Sequence, residues 1–275
     1  MEEHPLVSII TASYNADKTI SDCLRSVSNQ TFENYEHIVI DGKSTDETCK
    51  TLEQHSSVAP QLKWISETDS GIAEAMNKGI KMATGEWLLF LHADDQFRSS
   101  KSLEMASHHL GDCAKVVAYS VDFGSKAEVL KVVRSRGWCF KSRFKRTIAH
   151  QGAFIHRNLF DKLGLYDESY QIAMDYDWFM RAFYQKIPVS CHKEILSIMS
   201  DEGLSSRKDW LSLQARFEED KRIHHSHAPN HYWSALYMIY WIIYPTYRRI
   251  LHTICSALRA LSKASIFNKN ERLYA

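Results

Sequence analysis

Two adjacent carboxylates, Asp94 and Asp95, stand just past a short apolar run, WLLFL (87–91). The run follows the turn signal Thr84-Gly85-Glu86 and reads as a buried strand. In open α/β sheets, ligands sit beyond the carboxyl ends of the strands, so this pair is placed for chemistry. Neighbouring carboxylates repel unless a cation or hydrogen-bond donors occupy the gap. A hard divalent ion such as Mg²⁺ or Mn²⁺ takes oxygen ligands, keeps some water and is often completed by substrate phosphates. An isolated Asp pair is more often a solvated turn with a helix cap, so its company decides.

That company falls at other strand ends. The first apolar run delivers Thr11, Ala12 and Tyr14, the second Asp41, and the third Glu67, Asp69 and Gly71. In one parallel sheet these ends share a cleft with Asp94 and Asp95. A strand-end Asp accepts two hydrogen bonds from a nucleobase edge or a ribose diol. The ring of Tyr14 offers a face for a base. Taken singly, each is an ordinary turn residue. A second carboxylate cluster lies in MDYDWFMR (174–181). Asp175 and Asp177 are two apart on a helix and do not share a face, so one enters a cleft while the other caps or pairs, with Arg181 as partner. A general base for a hydroxyl nucleophile is a carboxylate within hydrogen-bond reach; the bland alternative is Asp at a helix start. His150-Gln151, ahead of the small-apolar run GAF, either contacts sugar hydroxyls or forms a structural pair. His224, His225, His227 and His231, with Pro229 among them, read as a solvated loop rather than a metal site. There is no G-x-G-x-x-G after the first strand and no G-x-x-x-x-G-K-[ST], which argues against a dinucleotide fingerprint or a P-loop. A bound phosphate must then be held by metal and side chains.

The elements that position these groups alternate as a parallel sheet requires. Strands are expected at 6–13, 35–40, 62–66 and 87–91. The first helix carries Ile20, Cys23, Leu24 and Val27, with Asp17 as its cap. A second starts at Thr45 or Asp46, and a third presents Ile72, Ala75, Met76, Gly79 and Ile80. Such units imply right-handed crossovers and a doubly wound sheet. Beyond Asp95 the pattern changes. A helix is expected at 103–110, antiparallel strands at 115–122 and 129–134, a basic loop KSRFKR at 141–146, helices at 158–163 and 174–184, one or two strands at 189–199, and an amphipathic helix at 207–224. The expected organisation is a 1–220 α/β domain, with a 1–98 nucleotide-binding half and a 99–220 acceptor-side half, followed by a helical tail at 221–275.

Charge is distributed unevenly along the 275 residues. Residues 221–275 carry eight Lys/Arg and a single acid, Glu271, giving +7, while 1–220 carry 26 basic and 32 acidic groups, giving −6. An acidic body with a basic, aromatic tail points to a surface contact for the tail, either anionic lipid or a partner. Residues 232–261 are rich in Trp and Tyr, are interrupted at Pro245 and run into Arg248-Arg249. That is shorter than the roughly 20 apolar residues of a membrane span and is interface chemistry. The six scattered cysteines contain no C-x-x-C, which fits reduced thiols in a cytosolic setting. MEEHPLVSII lacks a basic n-region, so no signal peptide is expected.

On LVSIITASYN (6–15), IVIDGKSTDET (38–48), SETDSGIAEAMNKGI (66–80), GEWLLFLHADD (85–95) and residues 150–182, the chain resembles the family-two glycosyltransferases of the GT-A fold. It looks most like bacterial members that assemble surface polysaccharide, of the colanic-acid and O-antigen type. The resemblance implies an inverting, metal-dependent hexosyltransferase. Its donor would be a nucleotide-diphospho-sugar, its cofactor Mg²⁺ or Mn²⁺, and its acceptor a saccharide or lipid-linked saccharide, with no nucleic acid. Thr11, Ala12, Tyr14, Asp41, Asp69, Gly71, Lys78 and Asp94 would bind the nucleotide-sugar, Asp95 the metal, and His150, Gln151 and Asp177 acceptor or donor sugar. Asp175 would be the catalytic base. The basic, aromatic composition of the tail, not the resemblance, gives the expected location: cytoplasmic, peripheral on the inner face of the plasma membrane through 232–263. Departures from the family pattern are His92 for an Asp, Lys43 for a Gly, Met76 for an Arg and Met174 for a Glu. His92 and Met174 allow an inactive sugar-nucleotide-binding module as an alternative, and a nucleotidyltransferase, which also binds nucleotides with metal on an α/β sheet, is the runner-up enzyme class.

Overall fold

The computed structural model describes residues 4–271 apart from 112, 126, 202, 204, 205, 207 and 208. The chain divides into two compact units, Met1–Ser206 and Arg207–Ala275. The boundary lies ahead of the amphipathic helix, which goes with the tail, rather than at 220.

The first unit is built on a nine-stranded sheet. Strands β1 (Val7–Ser13), β2 (Tyr35–Asp41), β3 (Leu62–Ser66) and β4 (Trp87–Phe90) run parallel in the order β3-β2-β1-β4. Every residue of β1, β2 and β4 is buried, which explains why these strands read as continuous apolar runs rather than alternating ones. Helices α1 (Ile20–Ser28), α2 (Thr48–Ser56) and α3 (Ile72–Met82) make the crossovers. On one face, Val7, Ile9, Trp87 and Leu89 pack with Cys23 and Val27 of α1. On the other, Gly79 of α3 lies so close to Ile10 that a Cβ there would stand 2.4 Å from Ile10 Cγ2. Asp17 does not cap α1. The N-cap is Thr19, without a side-chain cap bond, and the Asp17 N–H donates instead to Asp46 Oδ2 at 3.1 Å.

Past β4 the sheet becomes mixed. The short β5 (Gln96–Phe97), which has no signature in the sequence, precedes α4 (Ser102–Ser107), β6 (Val116–Gly124), β7 (Val129–Val133) and β8 (Ala153–His156). Helices α5 (Asn158–Leu163) and α6 (Met174–Tyr184) and one long strand β9 (Val189–Met199) complete the unit. β8 inserts antiparallel between β4 and β6, and β9 runs parallel to β6. This geometry brings the His150–Gly152 3₁₀ turn, just before β8, beside the end of β4.

The second unit contains α7 (Trp210–Ser226) and α8 (His231–Glu271), with Pro245 inside the latter rather than ending it. His224 and His225 lie in the last turn of α7, not in a solvated loop. His224 is fully buried, stacks on Tyr237 at 4.8 Å and accepts the Trp241 Nε1 hydrogen bond at 3.0 Å. The aromatic neighbours that bury it come from the next helix. No helix among the described residues is long and apolar enough to cross a membrane.

Candidate functional site

The strand register assembles the rim. Ser13 pairs with Asp41, and Asp41 with Ser66, so the carboxyl ends of β1, β2 and β3 lie side by side. The loops beyond them are laced together. Asn15 N donates to Ser44 Oγ at 2.8 Å, Thr45 N to Asn15 Oδ1 at 2.9 Å, and Gly42 N to the Ser13 carbonyl at 2.8 Å.

The expected nucleoside residues divide into lining and supporting groups. Tyr14 is 64% exposed, leaving its ring face open at the rim. Thr11 is buried, with Oγ1 donating to the Leu91 carbonyl at 2.7 Å and lying 2.9 Å from His37 Nε2, so its hydroxyl is committed inside the sheet. Ala12 is buried beside it. Asp41 is buried and accepts from Ser44 N at 2.9 Å, Ser66 Oγ at 2.7 Å and Cys49 Sγ at 3.3 Å, as well as from Ser44 Oγ. Such a carboxylate is held in a fixed orientation. Asp69 accepts from Gly71 N at 3.1 Å, and burial raises its pKa. A Cβ on Gly42 would come within 2.8 Å of Asp69 Oδ2, so Gly42 makes room for that carboxylate. Gly71, at φ +145°, faces the Gln171 side chain. Lys78 is engaged by Glu67 at 2.9 Å, Glu74 at 3.0 Å and the Thr68 carbonyl at 2.9 Å. In this arrangement its ammonium supports the 67–74 loop.

Past β4, Asp94 is half-buried, while Asp95 is only 2% exposed. Asp95 accepts from His92 N at 3.2 Å and Ser200 N at 3.0 Å. Burial drives its carboxyl well above the usual range and the Asp94 charge adds to this, while hydrogen bonds from Ser200, His92 and Gln151 pull it back. Two further groups lie here, one of them, Ser13, not singled out by sequence. Ser13 Oγ and His92 Nδ1 are buried and have no hydrogen-bond partner among the described residues. Among the described residues no three His, Cys, Asp or Glu side chains form a complete metal cage. Mg²⁺ and Mn²⁺ sites completed by substrate phosphate and water need only one or two carboxylates. The adjacent Asp pair and the orphaned His92 nitrogen fit such a cation.

The second half supplies the opposite wall. His150 is buried, stacks on Phe90 at 4.9 Å and lies 2.9 Å from the Tyr166 hydroxyl through Nε2. Burial lowers its pKa to about 4, against the pull of Asp175, so it is neutral near pH 7. Gln151 sits beside it with its side-chain amide on Asp95. Asp175, in the first turn of α6, interacts electrostatically with both His92 and His150, which joins it to the cleft of the Asp pair. Its Oδ1 accepts from Tyr176 N at 2.7 Å and faces Arg146 Nε at 3.4 Å. Asp177 points elsewhere. It is buried and paired with Arg181 at 3.0 Å, and Arg181 donates to the carbonyls of Leu163 at 2.6 Å and Leu165 at 2.8 Å. Through Arg181, Asp177 thus anchors the loop after α5. Asn77 of α3, also unmarked by sequence, clips the Tyr166 backbone, donating to its carbonyl at 2.9 Å and accepting from its N–H at 3.0 Å.

With this geometry in place, the family model for glycosyl transferase family 2 matches residues 8–176. The chain is 32% identical over 217 residues to a PGL/p-HBAD biosynthesis glycosyltransferase of Mycobacterium bovis, covering 74% of this chain and 80% of that protein. It is 27% identical over 200 residues to the chondroitin synthase of Escherichia coli, covering 70% of this chain but 29% of that larger protein. Among solved structures it is similar to a mannosyltransferase of Pyrobaculum calidifontis in complex with GDP-Man and Mn²⁺, at TM-score 0.66 and 17% identity, covering 99% of this chain and 81% of that one. It is also similar to Staphylococcus aureus TarS in complex with UDP-GlcNAc, at TM-score 0.63 and 20% identity, covering 82% of this chain and 66% of that one. The fold is that of these GT-A-like neighbours.

Proposed function

Because the chain belongs to glycosyl transferase family 2, we propose that this glycosyltransferase moves a hexosyl group from a nucleotide-diphospho-sugar to a hydroxyl of a saccharide, with inversion. Its acceptor is a lipid-linked saccharide of bacterial surface polysaccharide synthesis. The observation that carries the reading is the convergence of Asp94, Asp95, His92, His150 and Asp175 at one sheet edge, beside the laced ends of β1 and β2. The nucleoside lies against Tyr14 and the fixed carboxylate of Asp41, with Asp69 next to it. The diphosphate lies toward Asp94 and Asp95, which would hold a divalent cation. Bound there, such a cation offsets the charge on the departing diphosphate.

Asp175 is the general base. As the acceptor oxygen bonds to the anomeric carbon, the bond from that carbon to the diphosphate oxygen breaks and the hydroxyl proton passes to Asp175. A single displacement needs no covalent enzyme intermediate and inverts the centre. Arg146 and the Tyr176 N–H position the Asp175 carboxylate. Neutral His150, held by Tyr166 and Phe90, lines the sugar side.

Thermal unfolding with UDP-, GDP- and dTDP-sugars, with and without Mn²⁺, tests this reading. One nucleotide-sugar is expected to stabilise the protein only with metal, by about 2.7 kcal/mol at a hundredfold excess over Kd. Asp95→Ala should abolish the metal-dependent stabilisation, and the parent should hydrolyse the cognate nucleotide-sugar slowly without acceptor. Absence of stabilisation by every nucleotide-sugar, or release of pyrophosphate from a nucleoside triphosphate, would refute it.

A further inference from the structure

Helix α8 is apolar on two opposite sides. One side packs on α7: Tyr237 stacks on His224, Trp241 and Tyr244 contact Phe217, and the Arg248 guanidinium lies 5.6 Å from the Phe217 ring centroid. The other side carries Tyr232, Ile239, Ile243 and Ile250, which are 73%, 56%, 61% and 56% exposed. At 3.6 residues per turn these fall on one stripe that Ile254 extends, about 33 Å long at 1.5 Å per residue. A helix that is apolar all round is ordinarily buried all round. Soluble chains rarely leave so continuous a patch facing water without a use for it.

Charge identifies what covers it. Residues 232–247 contain no Asp, Glu, Lys or Arg, whereas the stretch that follows carries Arg248, Arg249, Arg259, Lys263, Lys269 and Arg272 against the single acid Glu271. Pairing this stripe with the same stripe of a second copy would bring two segments of +5 together, an arrangement that like-charge repulsion opposes. An anionic surface reverses the sign of that term. Tyr232 gives the stripe a polar tip, as suits a helix lying at a headgroup boundary, and no described helix is fit to span. We infer that the outer face of α8 docks in the plane of an anionic lipid bilayer, with Tyr232, Ile239, Ile243, Ile250 and Ile254 immersed and the net positive charge of the sequence from Arg248 onward drawing the helix to the headgroups. This surface goes beyond the transfer reaction and does not depend on it.

Vesicle flotation of the full chain tests the inference, using phosphatidylcholine alone and phosphatidylcholine with about one third phosphatidylglycerol, a composition chosen for its strong surface potential. The protein is expected to float with the anionic vesicles, to stay behind with the neutral ones, and to be released by roughly 0.5 M NaCl, where charges are screened within a few ångströms. The triple variant Ile239→Ser, Ile243→Ser, Ile250→Ser should lower the partition coefficient on the order of a thousandfold, since each immersed isoleucine is worth about tenfold or more. Its melting temperature should be unchanged, because those side chains already face water. Arg249→Glu with Arg259→Glu should weaken binding about tenfold or more on anionic vesicles only. Failure of the intact chain to float overturns the inference, as does equal flotation of the triple variant. Light scattering that shows a wild-type dimer and a monomeric triple variant would then assign the stripe to self-association.

Discussion

Arg146 Nε lies 3.4 Å from Oδ1 of Asp175, and the same guanidinium sits over the Tyr176 ring, 5.0 Å from its centroid. The contact joins the basic 141–146 loop to the first turn of α6, so one cation fixes the carboxylate that faces the cleft. Two residues on, Asp177 is held by Arg181 within the same helix. The two carboxylates therefore have separate cationic partners, one from the 141–146 loop and one from their own helix.

Asp175→Asn is expected to keep nucleotide-sugar affinity within a few-fold while turnover falls by roughly 10²–10⁴. Asp177→Asn should retain turnover in the folded protein but lower stability by about 3 kcal/mol, because it leaves Arg181 part-buried without its counter-charge. Steady-state kinetics alongside urea unfolding separates the two. If the Asp177 variant is the one that folds normally yet cannot turn over, the roles are reversed.

Asn77→Ala should destabilise the first unit by about 2–4 kcal/mol. Its amide makes three hydrogen bonds, two to the Tyr166 backbone and one to Glu168 Oε1 at 2.8 Å, and truncation leaves buried backbone groups unpaired. Asn77→Asp should be at least as costly, since it removes both donors and sets a carboxylate against Glu168. Tyr166 in turn holds His150, so turnover at low temperature should fall along with stability. An alanine variant as stable as the parent would show that the clip carries no weight.

What could be read from the sequence was whatever repeats locally. The apolar runs of β1, β2 and β4, the helical spacing of Ile72 to Ile80 and the strand-end positions of Asp41, Asp69, Asp94 and Asp95 all sit where the pattern puts them. What could not be read depends on partners distant in sequence. Asn77 and Tyr166 are 89 residues apart, and Asp41 is fixed by Ser66, 25 residues on. Thr11 has a strand-end position but spends its hydroxyl on His37 and Leu91, which only the neighbouring strands reveal. The Lys78–Glu74 pair is a case where a local signal existed, since carboxylate and ammonium four apart on a helix meet. His224 was hidden because the rings that cover it come from α8.

His37 makes the protein sensitive to acid. It is buried against Thr11, and burial, with a smaller contribution from His55, lowers its pKa to about 3 from an unfolded value of 6.5. The unfolded chain thus binds a proton between those values that the folded chain refuses, so stability is complete above pH 6.5 and lost as pH falls toward 3. The loss approaches about 1.4 kcal/mol per pH unit for one such group. His37→Gln preserves a polar group beside Thr11 without a basic nitrogen. Its unfolding free energy should fall by that much less per unit between pH 6 and 4 than the wild type's. Parallel curves for the two proteins would mean that His37 takes up its proton in the folded state.

Lys43 is the last test, and it concerns backbone rather than charge. In the loop after β2 it adopts φ +62°, and its side chain is exposed. A left-handed conformation costs a non-glycine residue about 1–2 kcal/mol, because Cβ crowds the following carbonyl. Glycine escapes that crowding but gives up roughly 0.5–1 kcal/mol through its freer unfolded state. Lys43→Gly should therefore gain about 0.5–1 kcal/mol, raising the melting temperature by roughly 1–4 °C. Lys43→Ala keeps the Cβ and should gain nothing, which separates backbone relief from loss of a positive charge. The lacing of Asn15, Ser44 and Thr45 flanks this position, so the glycine variant should also bind nucleotide-sugar as the parent does. Equal stabilisation by alanine and glycine would trace the gain to the charge and remove the conformational explanation.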